Sequence, residues 1–211
     1  MTPEVLKRII KQVPPDYYAS GIKNNFLQKY WHGRKWQTLR SFLPKINGRV
    51  LDIGCADGTT TAQIAHLLPK AQITGLDYYK EAIVFARKAN PKIEFVLGDA
   101  HRLPFGNKSF DAVTIIETLE HLKNPQGVLE EIHRVLKKNG NLVIGQDTDS
   151  ALFKLIWFFW TRWKGSVWTN SHISCMRPKK LLALVKKTGF EVQNFTLINL
   201  GTEIFIRAKK V

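Results

Sequence analysis

Two carboxylates, Asp52 and Asp57, frame a glycine turn in the stretch Val-Leu-Asp-Ile-Gly-Cys-Ala-Asp-Gly over residues 50–58. Their chemistry suits a positively charged nucleoside. Gly54 and Gly58 let backbone approach a bound molecule closely, and the threonine run that follows opens a helix whose first amides face the turn. A dinucleotide pyrophosphate fits less well, because its fingerprint is Gly-x-Gly-x-x-Gly. Here Gly54 is followed by Cys55, Ala56, Asp57 and Gly58, and two acids repel a pyrophosphate. Asp77 comes about twenty residues after the turn, the offset at which a carboxylate accepts both ribose hydroxyls, and Tyr78 beside it is placed to cover a base. Glu117 and His121 follow a later apolar strand, at the carboxyl edge where an open parallel sheet binds ligands. An imidazole with an ordinary pKa near 6.5 suits a hydroxyl or acidic-carbon substrate as base. His172 is a second candidate for that work.

An alternation of strands and helices positions these groups. Apolar strands are expected over 50–53, 71–76, 93–97, 112–116 and 142–145, with helices over 59–68, over 80–89 and after Pro125. Such alternation implies a parallel sheet with helices on both faces. The chain then reads as a helix from Pro178, a stop at Gly189, a strand over 190–198, a turn at Gly201 and a strand over 203–208, with no helix between the last two. Ahead of the sheet, Thr2 and Pro3 cap a helix whose Val5, Leu6, Ile9, Ile10 and Val13 recur at helical spacing until Pro14-Pro15. A second helical stretch over 22–43 mixes aromatics with bases. In this region Tyr17, Tyr18, Tyr30, His32 and Arg34 are candidates for a lid, with Arg34 offered to a ligand carboxylate. The segment 151–163 is crowded with aromatics yet shorter than the ~20 residues that a membrane-spanning helix needs. It is expected to lie against the site or in an apolar partner such as a membrane interface.

The net charge of +15 is unevenly placed. Residues 1–49 carry ten Lys or Arg against two acids and 151–211 carry eleven against two, whereas 50–150 carry eleven against thirteen. The basic field therefore belongs to the flanks, where it favours an anionic partner or reflects a lysine-rich solubilising surface. Two cysteines, Cys55 and Cys175, make no disulfide framework, which fits a reducing compartment. No signal peptide is read at the start, so a cytoplasmic location is expected, with peripheral contact at the inner membrane face as an option. No cluster with metal-ligand spacing is visible, and no metal is expected.

The glycine turn with its acids resembles the class I S-adenosylmethionine-dependent methyltransferases. Further on, Leu-Pro-Phe-Gly-Asn-Lys-Ser-Phe-Asp over 103–111 and Ile-Glu-Thr-Leu-Glu-His-Leu over 116–122 resemble the small-molecule branch that includes quinone-biosynthesis enzymes. The resemblance covers roughly 48–147, and the closing antiparallel hairpin matches more loosely. It departs at Ala56, where many relatives carry glycine.

The resemblance implies a Rossmann-like seven-stranded sheet in the order 3-2-1-4-5-7-6 with an antiparallel final strand. It implies S-adenosylmethionine as cofactor and S-adenosylhomocysteine as product. Asp52, Gly54, Cys55, Ala56, Gly58, Asp77, Tyr78, Asp99 and Ala100 would hold the cofactor, with Asp99 and Ala100 at the adenine, and Arg34 as an addition. Glu117 and His121 are the catalytic candidates, and Tyr18, Tyr30, Trp157 and His172 the substrate candidates. The expected layout is a helical lid over 1–48 and a catalytic domain over 49–211 with an aromatic insertion at 148–176. The expected acceptor is a small, hydrophobic or lipid-like molecule. A nucleic acid is the alternative, although Asn-Pro-Pro-Tyr is absent after the fourth strand and no cysteine is placed as a nucleophile. A module that holds the cofactor without turnover is the third reading.

Overall fold

The computed structural model describes residues 12–163, 165–169 and 171–211. The helix expected over 2–13 falls almost wholly outside them. Seven strands form one sheet in the order β3-β2-β1-β4-β5-β7-β6. They are β1 Arg49–Ile53, β2 Gln72–Asp77, β3 Glu94–Leu97, β4 Phe110–Ile116, β5 Leu136–Asp147, β6 Phe190–Ile198 and β7 Glu203–Lys210. Strands β1 to β5 pair in parallel, and β7 runs antiparallel to both β5 and β6. Its direction follows from the connection. A parallel return needs a crossover of a dozen or more residues, and only a short helical turn, Asn199–Gly201, separates β6 from β7.

Helices α1 Tyr17–Asn24, α2 Phe26–Phe42, α3 Thr59–Leu67, α4 Lys80–Ala89, α5 Pro125–Val135, α6 Ala151–Trp163 and α7 Pro178–Lys187 complete the described fold. Side chains along the strands alternate between two cores. Leu51, Val113, Leu142 and Ile204 face α5 and α7 through Val128, Ile132, Leu181 and Val185. Val50, Ala112, Val143 and Phe205 face α2 and α3 through Leu39, Phe42 and Ile64.

The helical stretch expected over 22–43 is two helices. Asn25 is extended at φ −130° and ψ 113°, and its side chain accepts from the Gln28 amide at 3.4 Å, the contact of an N-cap to the third residue of the new helix. The strand order reverses between β1 and β4, and a doubly wound sheet opens its ligand crevice at such a point. Gly54 ends one of those strands and Glu117 the other.

Candidate active site

A cavity of about 460 Å³ opens at this crevice. Gly54, Ala56, Asp57, Asp77, Tyr78, Asp99, Ala100, Glu117, Thr118 and His121 all line it, roofed by Tyr17 and Tyr18 of α1. Among the described residues its charged lining is Asp57, Asp77, Asp99 and Glu117 against Lys123 alone. That balance repels phosphate and favours a cationic ligand.

The turn is built by backbone strain and close packing. Gly54 sits at φ +77°, and a Cβ there would lie 2.0 Å from Thr118 Oγ1. Ala56 takes φ +43°, so it occupies the left-handed conformation that glycine adopts without strain. Its amide donates to Asp77 Oδ2 at 2.9 Å, while the Tyr79 amide donates to Oδ1 at 2.8 Å. Asp77 is thereby aimed from the end of β2 with lone pairs to spare. Burial nevertheless raises its pKa above the ordinary carboxylate value.

Several expected ligands turn out to support the site from behind. Asp52 alternates with Leu51 and Ile53 and so faces α3, where it accepts the hydroxyls of Thr61 at 2.6 Å and Thr114 at 2.7 Å. Burial pushes its carboxyl up to about 6. Cys55 packs on Ile83, Ala86 and Phe95 instead of lining the cavity. Gly58 is also absent from the lining. It ends the turn at φ +80°, where a Cβ would meet the Phe95 ring at 2.8 Å.

Asp57 lines the cavity but accepts from the amides of Thr59 at 3.0 Å and Ala19 at 2.8 Å. Ala19 is in the first turn of α1, whose amides have no partner within the helix, so the glycine turn caps the roof helix. Asp99 accepts from the amide and ring of His101 at 2.9 and 2.8 Å. Arg34 is exposed and lines neither cavity. The helical period turns His32, Lys35 and Leu39 inward and leaves Arg34 on the solvent side.

A second cavity of about 400 Å³ adjoins the first. The two share Tyr17, Tyr18, Glu117, His121 and Trp168. Tyr30, Phe153, Ile156, Trp157, Trp160 and His172 wall the second, so α6 turns one aromatic face into it. Trp157 meets the His172 ring edge-on at 4.2 Å, and Trp168 stacks on His121 at 5.8 Å. The outer face of α6 leaves Leu155, Phe159 and Trp163 exposed. No described helix is long and apolar enough to cross a membrane.

At the junction Glu117 adopts φ +48°, a conformation costing a non-glycine residue about 1–3 kcal/mol. It forms an ion pair with Lys35, which is 4% exposed. Burial would raise the Glu117 carboxyl, but Lys35, together with His32 and His121, holds the acid below its usual range. Burial likewise opposes the Lys35 charge, and Glu117, Glu203 and Asp147 together hold its ammonium above the usual range. Asp147 and Glu203 are each pushed up to about 8 by burial, and burial raises Glu120 as well.

Burial pulls His121 and His172 down to about 4, so the value near 6.5 expected from sequence does not hold. Neutral His121 donates Nδ1–H to the Ser171 carbonyl at 2.9 Å, which leaves Nε2 as an acceptor. The sequence reading gave no site role to Lys35 or Trp168. Lys35 carried a signal, since it falls on the same inward face as His32, Leu39 and Phe42. Trp168 ends the single helical turn Ser166–Trp168, too short for any periodicity to place it.

A family profile described as "Methyltransferase domain" matches residues 51–144. The demethylmenaquinone methyltransferase of Thermotoga maritima is 30% identical over 175 residues, covering 75% of this chain and 76% of that protein. The ubiquinone biosynthesis O-methyltransferase of Photobacterium profundum is 28% identical, covering 70% of this chain and 66% of that one. Among solved structures, an S-adenosylmethionine-dependent methyltransferase from Aquifex aeolicus superposes with a TM-score of 0.69 at 18% identity, covering 98% of both chains.

Proposed function

The chain belongs to the class I S-adenosylmethionine-dependent methyltransferases, and on that premise we propose that it methylates a small, apolar acceptor held in the aromatic cavity beside the cofactor. S-adenosylmethionine is the cofactor of this family and supplies an activated methyl group on a sulfonium. The acid-lined cavity fits it, for the lining is anionic, free of any phosphate-binding motif and roofed by aromatic rings.

In this reading Asp77 takes the ribose hydroxyls, Tyr78 covers the base, Asp99 and the Ala100 amide meet the adenine edge, and Gly54 and Ala56 give the close backbone. Tyr17 and Tyr18 close over both chambers as part of an N-terminal lid. Glu117 and His121 stand at the window between the chambers, and Tyr18, Tyr30, Trp157 and His172 shape the acceptor chamber.

One observation supports this reading above the others: among the described residues, the two cavities share Tyr17, Tyr18, Glu117, His121 and Trp168 in their linings. Methyl transfer is an in-line displacement, so holding acceptor and donor on either side of one narrow window supplies most of the alignment. Neutral His121, with Nε2 free to accept, holds or receives the proton of an acceptor hydroxyl. The relatives named for demethylmenaquinone and ubiquinone biosynthesis favour a hydroxylated or quinol-type ring as acceptor. The exposed stripe of α6, with the basic flanks around it, suits approach to an anionic membrane surface where such a molecule dissolves.

Incubation with methyl-labelled cofactor and a panel of quinols, phenols and RNA tests the reading. Label is expected in an apolar hydroxylated acceptor, and it should fall with Trp157→Ala while cofactor affinity holds. Label only in RNA, or none in any acceptor, would overturn it.

A further inference from the structure

Two buried polar atoms beside the aromatic chamber have no hydrogen-bond partner among the described residues, Glu120 Oε2 and His172 Nδ1. Glu120 is wholly buried, and the His172 side chain is 9% exposed. One donor atom from each of Glu120, His121 and His172 lies within 4.8 Å of the others. Their remaining polar atoms are committed. Glu120 Oε1 accepts from the Asp147 amide at 3.3 Å, His172 Nε2 faces Asp147 Oδ2 at 3.0 Å, and His121 Nδ1 donates to the Ser171 carbonyl at 2.9 Å. Glu120 Oε2 and His172 Nδ1 are thus left over, and His121 keeps Nε2.

We propose that Glu120, His121 and His172 bind a divalent cation of the zinc type in the wall of the acceptor chamber. Two imidazole nitrogens and one carboxylate oxygen form the ligand set of open zinc sites, in which a fourth position is left for water or substrate. His121 and His172 both line the chamber, so that position opens toward the acceptor. The outer contacts are those that metal-binding imidazoles make, one ring N–H to a carboxylate and the other to a backbone carbonyl, which fix tautomer and ring direction. Tetrahedral bonds of about 2.1 Å set donors about 3.4 Å apart, so the cluster closes by up to about 1.4 Å on loading.

Glu120 stands on the short turn Leu119–His121 and His172 on a loop, neither clamped within a long helix or strand. With the ion bound, His121 Nε2 is a ligand and no longer a proton acceptor, and the ion itself would orient an acceptor oxygen and ease loss of its proton. That role rests on the acceptor chamber proposed above, whereas the binding does not.

The test is a titration of chelator-stripped full-length protein with Zn²⁺ by calorimetry, repeated with Co²⁺ for its visible absorption. One equivalent is expected to bind with submicromolar affinity, and Co²⁺ should give the intense bands of a four-coordinate site. Glu120→Gln and His172→Gln should each weaken binding more than tenfold while the melting temperature and the affinity for S-adenosylhomocysteine hold, which reports an intact fold. Absence of stoichiometric binding, or binding that both variants leave unchanged, would overturn the site. Metal uptake without any methyl transfer would leave the site standing and count against the acceptor reading instead.

Discussion

Replacing Lys35 by methionine removes the cation that faces Glu117, Glu203 and Asp147. The side chain of Lys35 is 5% exposed and that of Glu117 23%, so the variant leaves a largely desolvated carboxylate unpaired. Breaking a buried pair from one side costs 3–5 kcal/mol, and the partial exposure of Glu117 places the loss at the lower end, about 3 kcal/mol.

The sign with pH follows from the direction of the Glu117 shift. Its folded pKa lies below the unfolded value because of Lys35, so the pair contributes stability above the unfolded pKa and loses it as pH falls through the folded one. In Lys35→Met that contribution is gone, and burial alone pushes Glu117 upward. The gap between wild type and variant is therefore widest near pH 7 and closes toward pH 4. Urea unfolding followed by circular dichroism, with a chelator present, reads both points. The double variant Lys35→Met/Glu117→Gln should recover more than half of the loss at pH 7, since it leaves no unpaired charge. A cost below about 1 kcal/mol at pH 7, a gap that widens on acidification, or a double variant no more stable than the single one would refute the reasoning.

Gly54→Ala places a Cβ 2.0 Å from Thr118 Oγ1 at φ +77°, so cofactor affinity by calorimetry should fall at least tenfold with a lowered melting temperature. Asp52 is held at about 6, above its unfolded value. Its contribution is thus full below the unfolded pKa and lost as pH rises through 6, a difference of up to about 3 kcal/mol. Asp52→Asn should accordingly gain on wild type between pH 4 and pH 7 in denaturant titrations, and a pH-independent difference would count against the shift. Trp157→Ala, which opens the aromatic chamber beside His172, should raise the acceptor KM about tenfold through lost apolar contact and leave the cofactor dissociation constant alone.

The parallel sheet was legible because apolar runs, glycine turns and helical periods alternate without interruption from residue 49 to 147, whereas its strand order came only with the family resemblance carried by the glycine turn. The hairpin at the end was legible for the same reason, since no helix pattern separates its strands. The spacing of Asp77 from the glycine turn pointed to a shared crevice, and both line one cavity. Asp52 was expected among the cofactor residues because its neighbours in sequence line the crevice, and strand alternation places it under α3 on Thr61 and Thr114. Arg34 lies on the solvent side of its helix, one residue from the inward-facing Lys35. Nothing local marks Trp168, and the Glu120-His121 pair meets His172 only after some fifty residues of chain fold back, so the polar cluster between the chambers is a product of topology.

The most direct measurement of the two-chambered site is a crystal structure with S-adenosylhomocysteine. The ribose hydroxyls are expected on Asp77, the adenine edge at Asp99 and Ala100, and the sulfur turned to the window formed by Tyr18, Glu117 and His121. A nucleoside lodged between Trp157, Trp160 and His172, or a sulfur turned away from that window, would contradict it.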